Sequence, residues 1–401
     1  MEKYDFISNI DVKGKTILLR VDFNTSIING NPVLSARIEA HSASIDFFLK
    51  KGAKVVVLAH QGDKGKPDFC SLLKHAEMAS KIIGTKIPLV SWNDNFLERI
   101  RALKNGEALL MENTRFLDFE TLSLSPEEHS HEPVIKQLAS AADFFVLDAF
   151  SVCHRSHASI VGFKPLLPCF GGPALEDELS ALEKLGGAKT GRVVLLGGAK
   201  PEDSIKLLKE MLEKGEVDRV LLGGLMGQLF LKSRGTSFGE YETFFEKRGF
   251  LQFLPEIKKI LSIHSDKMVL PIDVAVDRMG ARAELRIDSL PGSLQIGDSV
   301  KDIGSETVEL FSKELSGANF VLVNGPVGVF EEKEFTFGTH SILSQLALSS
   351  VYSILGGGDT ENAVRTLGFK SENFSHVSLG GKALLNYLSG KTLSGLEILK
   401  K

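Results

Sequence analysis

Three cysteines are few for 401 residues; they are Cys70, Cys153 and Cys169. Their odd number and the lack of CxxC spacing exclude a disulfide framework and a zinc site, and point to a reducing, cytoplasmic setting. Long hydrophobic runs are missing as well. A membrane-spanning helix needs about 20 apolar residues, whereas "KVVVLA" is typical of this chain, and "MEKYDFISNI" lacks the apolar core of a secretory leader. No membrane partner is expected. Neither sign of charge dominates, with 47 Lys and Arg against 51 Asp and Glu and a formal charge of −4. The lack of a global basic field argues against a nucleic-acid partner, so any anion site must be local. Two nucleotide signatures are absent too. No strand is followed by GxGxxG, "GGLMG" being too short, which weighs against a dinucleotide dehydrogenase. The turn in "SHVSLGGKALL" fails as a P-loop: His376 stands where its first glycine belongs, and Ala383 rather than Ser or Thr follows Lys382.

What is present is an ordinary globular composition, 43% apolar and 24% charged. The length favours two domains. Short apolar runs recur, many closing on Gly, Asp, Asn, His or Arg before a helical pattern. The first half has "TILLRVDFN", "KVVVLAHQG", "ALLMENTRF" and "FFVLDAFS"; the second has "RVVLLGGAK", "RVLLGGLMG", "MVLPIDVAV", "FVLVNGPVG" and "SILGGG". Runs without polar alternation predict strands buried on both faces. Amphipathic stretches lie between them, such as "SIKLLKEMLEK", where Ile205, Leu208 and Leu212 share a face. The pattern predicts an α/β fold with two Rossmann-like parallel-sheet domains, joined by a hinge helix in "GPALEDELSALEKL" (172–185). No tandem repeat or low-complexity linker appears.

Ligands of open α/β sheets sit beyond the carboxyl ends of the strands. In the first half those ends supply Asp22, Asn24, Arg37, His60, Arg115 and Arg155, a mainly positive set suited to a small anion. In the second they supply glycines, Lys200 and Asp359, suited to a nucleotide with its metal. Gly197 and Gly198 allow close backbone approach, and Lys200 offers a point charge to phosphate. It could equally be a surface lysine beside a tight turn. Asp359, at a helix start in "LGGGDTENAV", could be an N-cap or a magnesium contact. "EEHSHEP" (127–133) reads as an exposed loop or helix start rather than a metal site.

"LLRVDFN", "AHQG", "LLMENTRF", "LDAFSVCHRSHASIVG", "LGGAK", "VNGPVGVFE", "GGGD" and "FSHVSLGG" occur in the order of one family. Over nearly its whole length the chain resembles the phosphoglycerate kinases, with "HQG" and "GGAKPEDSIK" leaning to the archaeal branch. The resemblance implies a glycolytic phosphotransferase exchanging a phosphoryl group between ATP/ADP and 3-phosphoglycerate/1,3-bisphosphoglycerate, with Mg²⁺ bound alongside the nucleotide. It implies that Arg37 and Lys200 attend the transferred phosphoryl group, with backbone amides of Gly380 and Gly381. It places Asp22 and Asn24 near the carboxyl and hydroxyl end of the acid, and His60, Arg115 and Arg155 at its phosphate. For the nucleotide it implies Gly198, Gly223, Asn324, Glu331 and Gly357, and also Lys200, Gly358, Asp359 and Thr360, with Asp359 on the metal. The implied domains are 1–172, with 386–401 returning to it, and 173–385, closing on each other during turnover.

Three positions depart from the family pattern. Asp63 stands where an arginine is usual, Ser204 where a second lysine often lies, and "LGGK" replaces Thr-Gly-Gly-Gly, so that Leu379 lacks a hydroxyl and Lys382 replaces glycine. Asp63 is expected to turn outward or pair with a phosphate-binding arginine, and Lys64 could swing in. A paralogue that keeps the fold and nucleotide binding but regulates, or acts on another carboxylate, stays open as an alternative.

Overall fold

The computed structural model describes residues 3–187 and 190–401. The expected domain spans also take in residues 1, 2, 188 and 189, which lie outside the described residues. The chain packs into two units, Met1–Ser180 with Lys391–Lys401, and Ala181–Gly390.

In the first unit the strands are β1 (Thr16–Arg20), the short pair β2 (Ile27–Ile28) and β3 (Asn31–Pro32), β4 (Lys54–Leu58), β5 (Leu89–Val90), β6 (Ala108–Met111), β7 (Phe144–Leu147) and β8 (Cys169–Gly171). Six of them form one sheet, ordered β5-β6-β4-β1-β7-β8 and parallel throughout. Ile17, Leu18 and Leu19 are all fully buried, so both faces of β1 are covered and the run shows no polar alternation. Because β4 and β7 flank β1 on opposite sides, the carboxyl ends of β1, β4, β6 and β7 open onto one rim.

The tail belongs to this sheet's surroundings. Leu393, Leu396 and Leu399 are buried, Asp5 N–H donates to the Leu399 carbonyl (2.9 Å), and Gly395 N–H donates to that of Cys153 (2.8 Å). Residues 386–390 cluster with the second unit instead. Their helix, Lys382–Leu388, is anchored there by Leu384, whose Cδ2 occupies the space a side chain at Gly356 would need.

The second unit holds β9 (Arg192–Leu196), β10 (Arg219–Leu222), β11 (Met268–Val269), β12 (Asp273–Arg278), β13 (Ala281–Arg286), β14 (Ser299–Ile303), β15 (Phe320–Asn324), β16 (Tyr352–Gly356) and β17 (His376–Val377). Its parallel sheet is ordered β11-β10-β9-β15-β16-β17. Helix Pro201–Glu213 opens on a proline, whose missing N–H costs nothing there, and buries Ile205, Leu208 and Leu212 as its periodicity predicts.

One sequence expectation needs correction and another needs refining. The run "MVLPIDVAV" is two strands, because Pro271 has no N–H for the ladder; β11 stays in the parallel sheet and β12 joins a separate antiparallel sheet, β13-β12-β14. The β12–β13 turn puts Met279 and Gly280 at φ of 54° and 83°, the geometry of a type I′ hairpin. "EEHSHEP" is a helix start, as one of its two readings had it, but His129 is not exposed. Ser125 and Glu128 cap the helix Pro126–His129 reciprocally, and His129 is buried with Nε2 at 3.0 and 2.8 Å from the carbonyl oxygens of Leu122 and Ser156.

Candidate active site

In the first unit Asp22, two residues past β1, anchors Arg37. Asp22 is buried; its Oδ2 accepts from the Ser151 hydroxyl and lies 3.2 Å from Arg37 Nη1, while Oδ1 accepts from Asn24 N–H at 2.9 Å. Burial alone would raise its pKa, but the Arg37 charge and the Ser151 hydroxyl outweigh it and hold Asp22 well below the usual carboxylate range. Arg37 stands in the first turn of helix Ala36–Lys50, and its buried Nε meets no acceptor among the described residues. Asn24 acts as a strut, its Oδ1 accepting from Gly62 N–H at 2.9 Å and so tying the end of β1 to the loop after β4.

His60, at the end of β4, is buried with Nδ1 3.1 Å from Arg20 Nη2. Arginine can only donate, so Nδ1 accepts and the ring proton sits on Nε2. Burial and the Arg20 charge push its pKa well below the ordinary value, keeping it neutral. Arg115 follows β6 in a turn capped by Asn113, which accepts its N–H at 3.1 Å. Its Nη1 donates to the Gly62 carbonyl (2.5 Å) and to Asp63, and its buried Nε has no acceptor among the described residues. Burial lowers the Arg115 pKa and so does Arg155, which also depresses His60 and His157. The Arg115 and Arg155 guanidiniums repel one another through a poorly solvated rim, a setting that favours an anion there.

Sequence reading missed Arg20, Ser151 and His157. Arg20 is buried, its Nε donating to Ser159 Oγ (2.9 Å), whose hydroxyl donates to Glu120 (2.6 Å). Burial brings Arg20 down to about 10 despite Glu120 and Asp22, and burial with Arg155 brings His157 down to about 3. A lone arginine inside "TILLRVDFN" was the available signal.

In the second unit the ends of β9, β15 and β16 and the turn after β17 form a cradle lined by Gly197, Gly198, Lys200, Asn324, Asp359 and Gly381 among others. The glycines are there for contact between backbones. A Cβ on Gly197 would lie 2.2 Å from the Pro326 carbonyl oxygen, and Gly325 (φ 92°) leaves no more room against Gly197. Helices Pro201–Glu213, Gly358–Thr366 and Lys382–Leu388 all start on this cradle, so their N-terminal amides and dipoles favour an anion in it. Lys200 Nζ lies 3.1 Å from Asp359 Oδ2, both side chains being largely exposed.

Adjoining it is a cavity of about 460 Å³ that shares Gly198, Lys200 and Asp359 and is walled by Tyr241, Phe244, Phe250 and Phe330, with Glu331, Lys301 and Arg248 at its polar parts. A charged cradle continuous with an aromatic pocket suits a nucleoside polyphosphate. The aromatics of "YETFFEKRGF" were not singled out from sequence, since nothing local marks them as pocket residues.

Several expected residues also make structural contacts, Gly357 and Thr360 among them while lining the cradle. Gly224 rather than Gly223 lines the pocket; a Cβ on Gly223 would strike Val327. Thr360 accepts the Gly325 N–H (2.8 Å) and holds the β15 loop, and Gly357, at φ 90°, packs against Asn324. Gly358 lines the cradle openly. Gly380 is buried, and its N–H donates to Ser378 Oγ at 3.1 Å, so Gly381 is the glycine of that turn on the cradle. Lys382 begins its helix with an exposed side chain at the cradle's edge. Asp63 is both outward and paired, on Arg115, while Lys64 is held away by Asp118 at 2.8 Å.

The phosphoglycerate kinase family model matches residues 7–391. The phosphoglycerate kinase of Archaeoglobus fulgidus is 39% identical over 98% of this chain and 96% of its own, and that of Methanopyrus kandleri 37% over 99% and 98%. The crystal structure of phosphoglycerate kinase from Pyrococcus horikoshii OT3 superposes with a TM-score of 0.91 at 32% identity, covering 98% of each chain. That from Coxiella burnetii gives 0.80 at 30%, covering 99% of this chain and 98% of that one. The chain belongs to the phosphoglycerate kinase family.

Proposed function

We infer that the chain catalyses reversible phosphoryl transfer from ATP to the carboxylate of 3-phosphoglycerate, giving 1,3-bisphosphoglycerate and ADP. The observation that carries this is the pairing, on one chain of this family, of a cationic strand-end rim with a glycine cradle on which three helices start. The acceptor is already a carboxylate at neutral pH, so no residue need remove a proton. Catalysis is then positioning and charge stabilisation.

Arg37, oriented by Asp22, supports charge on the phosphoryl group in transit. Asn24 and Asp22 receive the carboxyl and hydroxyl end of the acid, the ionised Asp22 accepting from the hydroxyl, and His60 Nε2–H, Arg115 and Arg155 its phosphate. Lys200 and the amide of Gly381 meet the terminal phosphate of the nucleotide, whose ribose and base take the pocket with Glu331 and Tyr241.

No group of three or more metal-ligating side chains exists among the described residues. Of the two carboxylates that line the cradle, Asp203 and Asp359, it is Asp359, beside Lys200, that fits magnesium carried in by the nucleotide, which would supply further charge neutralisation. A cytoplasmic setting is part of the proposal, supported by the three free thiols. Among the described residues no helix is long and apolar enough to cross a membrane.

A coupled assay with 3-phosphoglycerate, ATP and magnesium tests the reading, with turnover expected. Nucleotide binding without turnover would favour the regulatory paralogue.

A further inference from the structure

The loop after β4 is clamped from both sides. Gln61 exchanges hydrogen bonds with Thr25 N and O (2.9 Å each), and Asn113 Nδ2 donates to the Gln61 carbonyl at 2.8 Å. Gly62 sits at φ 65° with its Cα against the backbone of Asp68, and its N–H is held by Asn24. The next residue, Asp63, therefore emerges at a fixed point, and its carboxylate meets Arg115 Nη1. The two ends of this pair differ. The Arg115 side chain is 4% exposed and held in the wall, whereas that of Asp63 is 68% exposed and free to rotate into water. Lys64 does not neutralise Asp63, being paired with Asp118.

We propose that Asp63 is a built-in competitor for the phosphate of the acid substrate, and so sets how tightly this chain holds it. The proposal rests on the kinase reading for the identity of that substrate. Binding is an anion exchange on Arg115: the incoming phosphate takes Nη1 and the carboxylate of Asp63 turns to solvent. A dianionic phosphate wins this exchange, being the stronger charge for a guanidinium. A monoanionic group, such as the carboxylate of an unphosphorylated acid, gains little by replacing another carboxylate. Asp63 thus weakens holding of the phospho-acid at this rim without abolishing it.

The test compares wild type with Asp63→Asn, which keeps shape and removes charge at an exposed position. The single tryptophan, Trp92, donates from Nε1 to the Asn113 carbonyl (3.1 Å), next to the cap of Arg115, so its fluorescence reports inorganic phosphate at this rim without turnover. For D63N the dissociation constant of phosphate read by Trp92 and the KM for 3-phosphoglycerate should both fall, by roughly three- to tenfold. The KM for ATP should stay within about twofold. In an Arg115→Gln background, removing Asp63 should change neither constant. Unchanged or weaker phosphate binding in D63N overturns the proposal. If wild type fails to phosphorylate 3-phosphoglycerate but D63N still tightens phosphate, the kinase reading falls and the competition on Arg115 stands.

Discussion

Lys200 and Asp359, 159 residues apart in the chain, form an ion pair with Nζ 3.1 Å from Oδ2 at the edge of the glycine cradle. An exposed pair of this kind is worth little, so phosphates can draw the lysine away and a metal ion the carboxylate. Lys200→Ala is expected to lower turnover by about 10²–10³ and to weaken ATP binding. Asp359→Asn should instead raise the magnesium concentration needed for half-maximal rate. Equal magnesium curves for wild type and D359N would remove Asp359 from the metal.

Arg37→Ala should lower kcat by about 10²–10³, with ADP affinity nearly unchanged, because in the proposed mechanism this guanidinium serves charge on the transferred group and not the nucleotide. Arg37→Lys should recover little, since a point charge does not reproduce a fork held by Asp22. Steady-state kinetics beside calorimetric ADP titration separate the two effects. A loss confined to ADP affinity would assign Arg37 elsewhere.

Gly197→Ala forces a methyl group onto backbone oxygen, 2.2 Å from the Pro326 carbonyl, with no flexible neighbour to yield. ADP affinity should drop by about tenfold or more and the second unit should unfold at lower temperature. Gly358→Ala is the contrast, since a Cβ there meets nothing within 4 Å. Its melting temperature should match wild type, so that any change in ADP binding reports the ligand's own approach to that amide.

Acid should destabilise the first unit through His75. This side chain is buried, with Nε2 3.2 Å from Gln61 Oε1, and burial pushes its pKa down to about 4. The unfolded chain, with a histidine pKa near 6.5, takes up its proton first as pH falls. Stability is therefore complete above about 6.5 and is lost towards 4. Denaturant titrations followed by Trp92 fluorescence at pH 7 and pH 5 measure the loss. In His75→Gln the loss should be smaller by about 1–2 kcal/mol; an identical loss would show that His75 does not carry it.

The strands and the chemical character of both sites were legible because parallel strands buried on both faces write themselves as unbroken apolar runs. "TILLRVDFN" and "RVVLLGGAK" each announce a strand and then the polar or glycine residues at its carboxyl end, where ligands bind. Local pattern could not show the antiparallel sheet β13-β12-β14, since β13 has no buried residue and lacks an apolar run. Nor could it distinguish Gly380 from Gly381, adjacent residues of one turn, of which the first gives its amide to Ser378 and the second lines the cradle.

Residue type and order along the chain therefore determined the α/β architecture and which side chains stand at strand ends. Only the tertiary structure decided which of those groups already hold a partner: Asp22 on Arg37, Asp63 on Arg115, Thr360 on Gly325, Lys200 on Asp359. Periodicity and propensity act over neighbours a few residues apart, whereas a hydrogen bond or ion pair depends on ångström distances between atoms that only the folded sheet brings together.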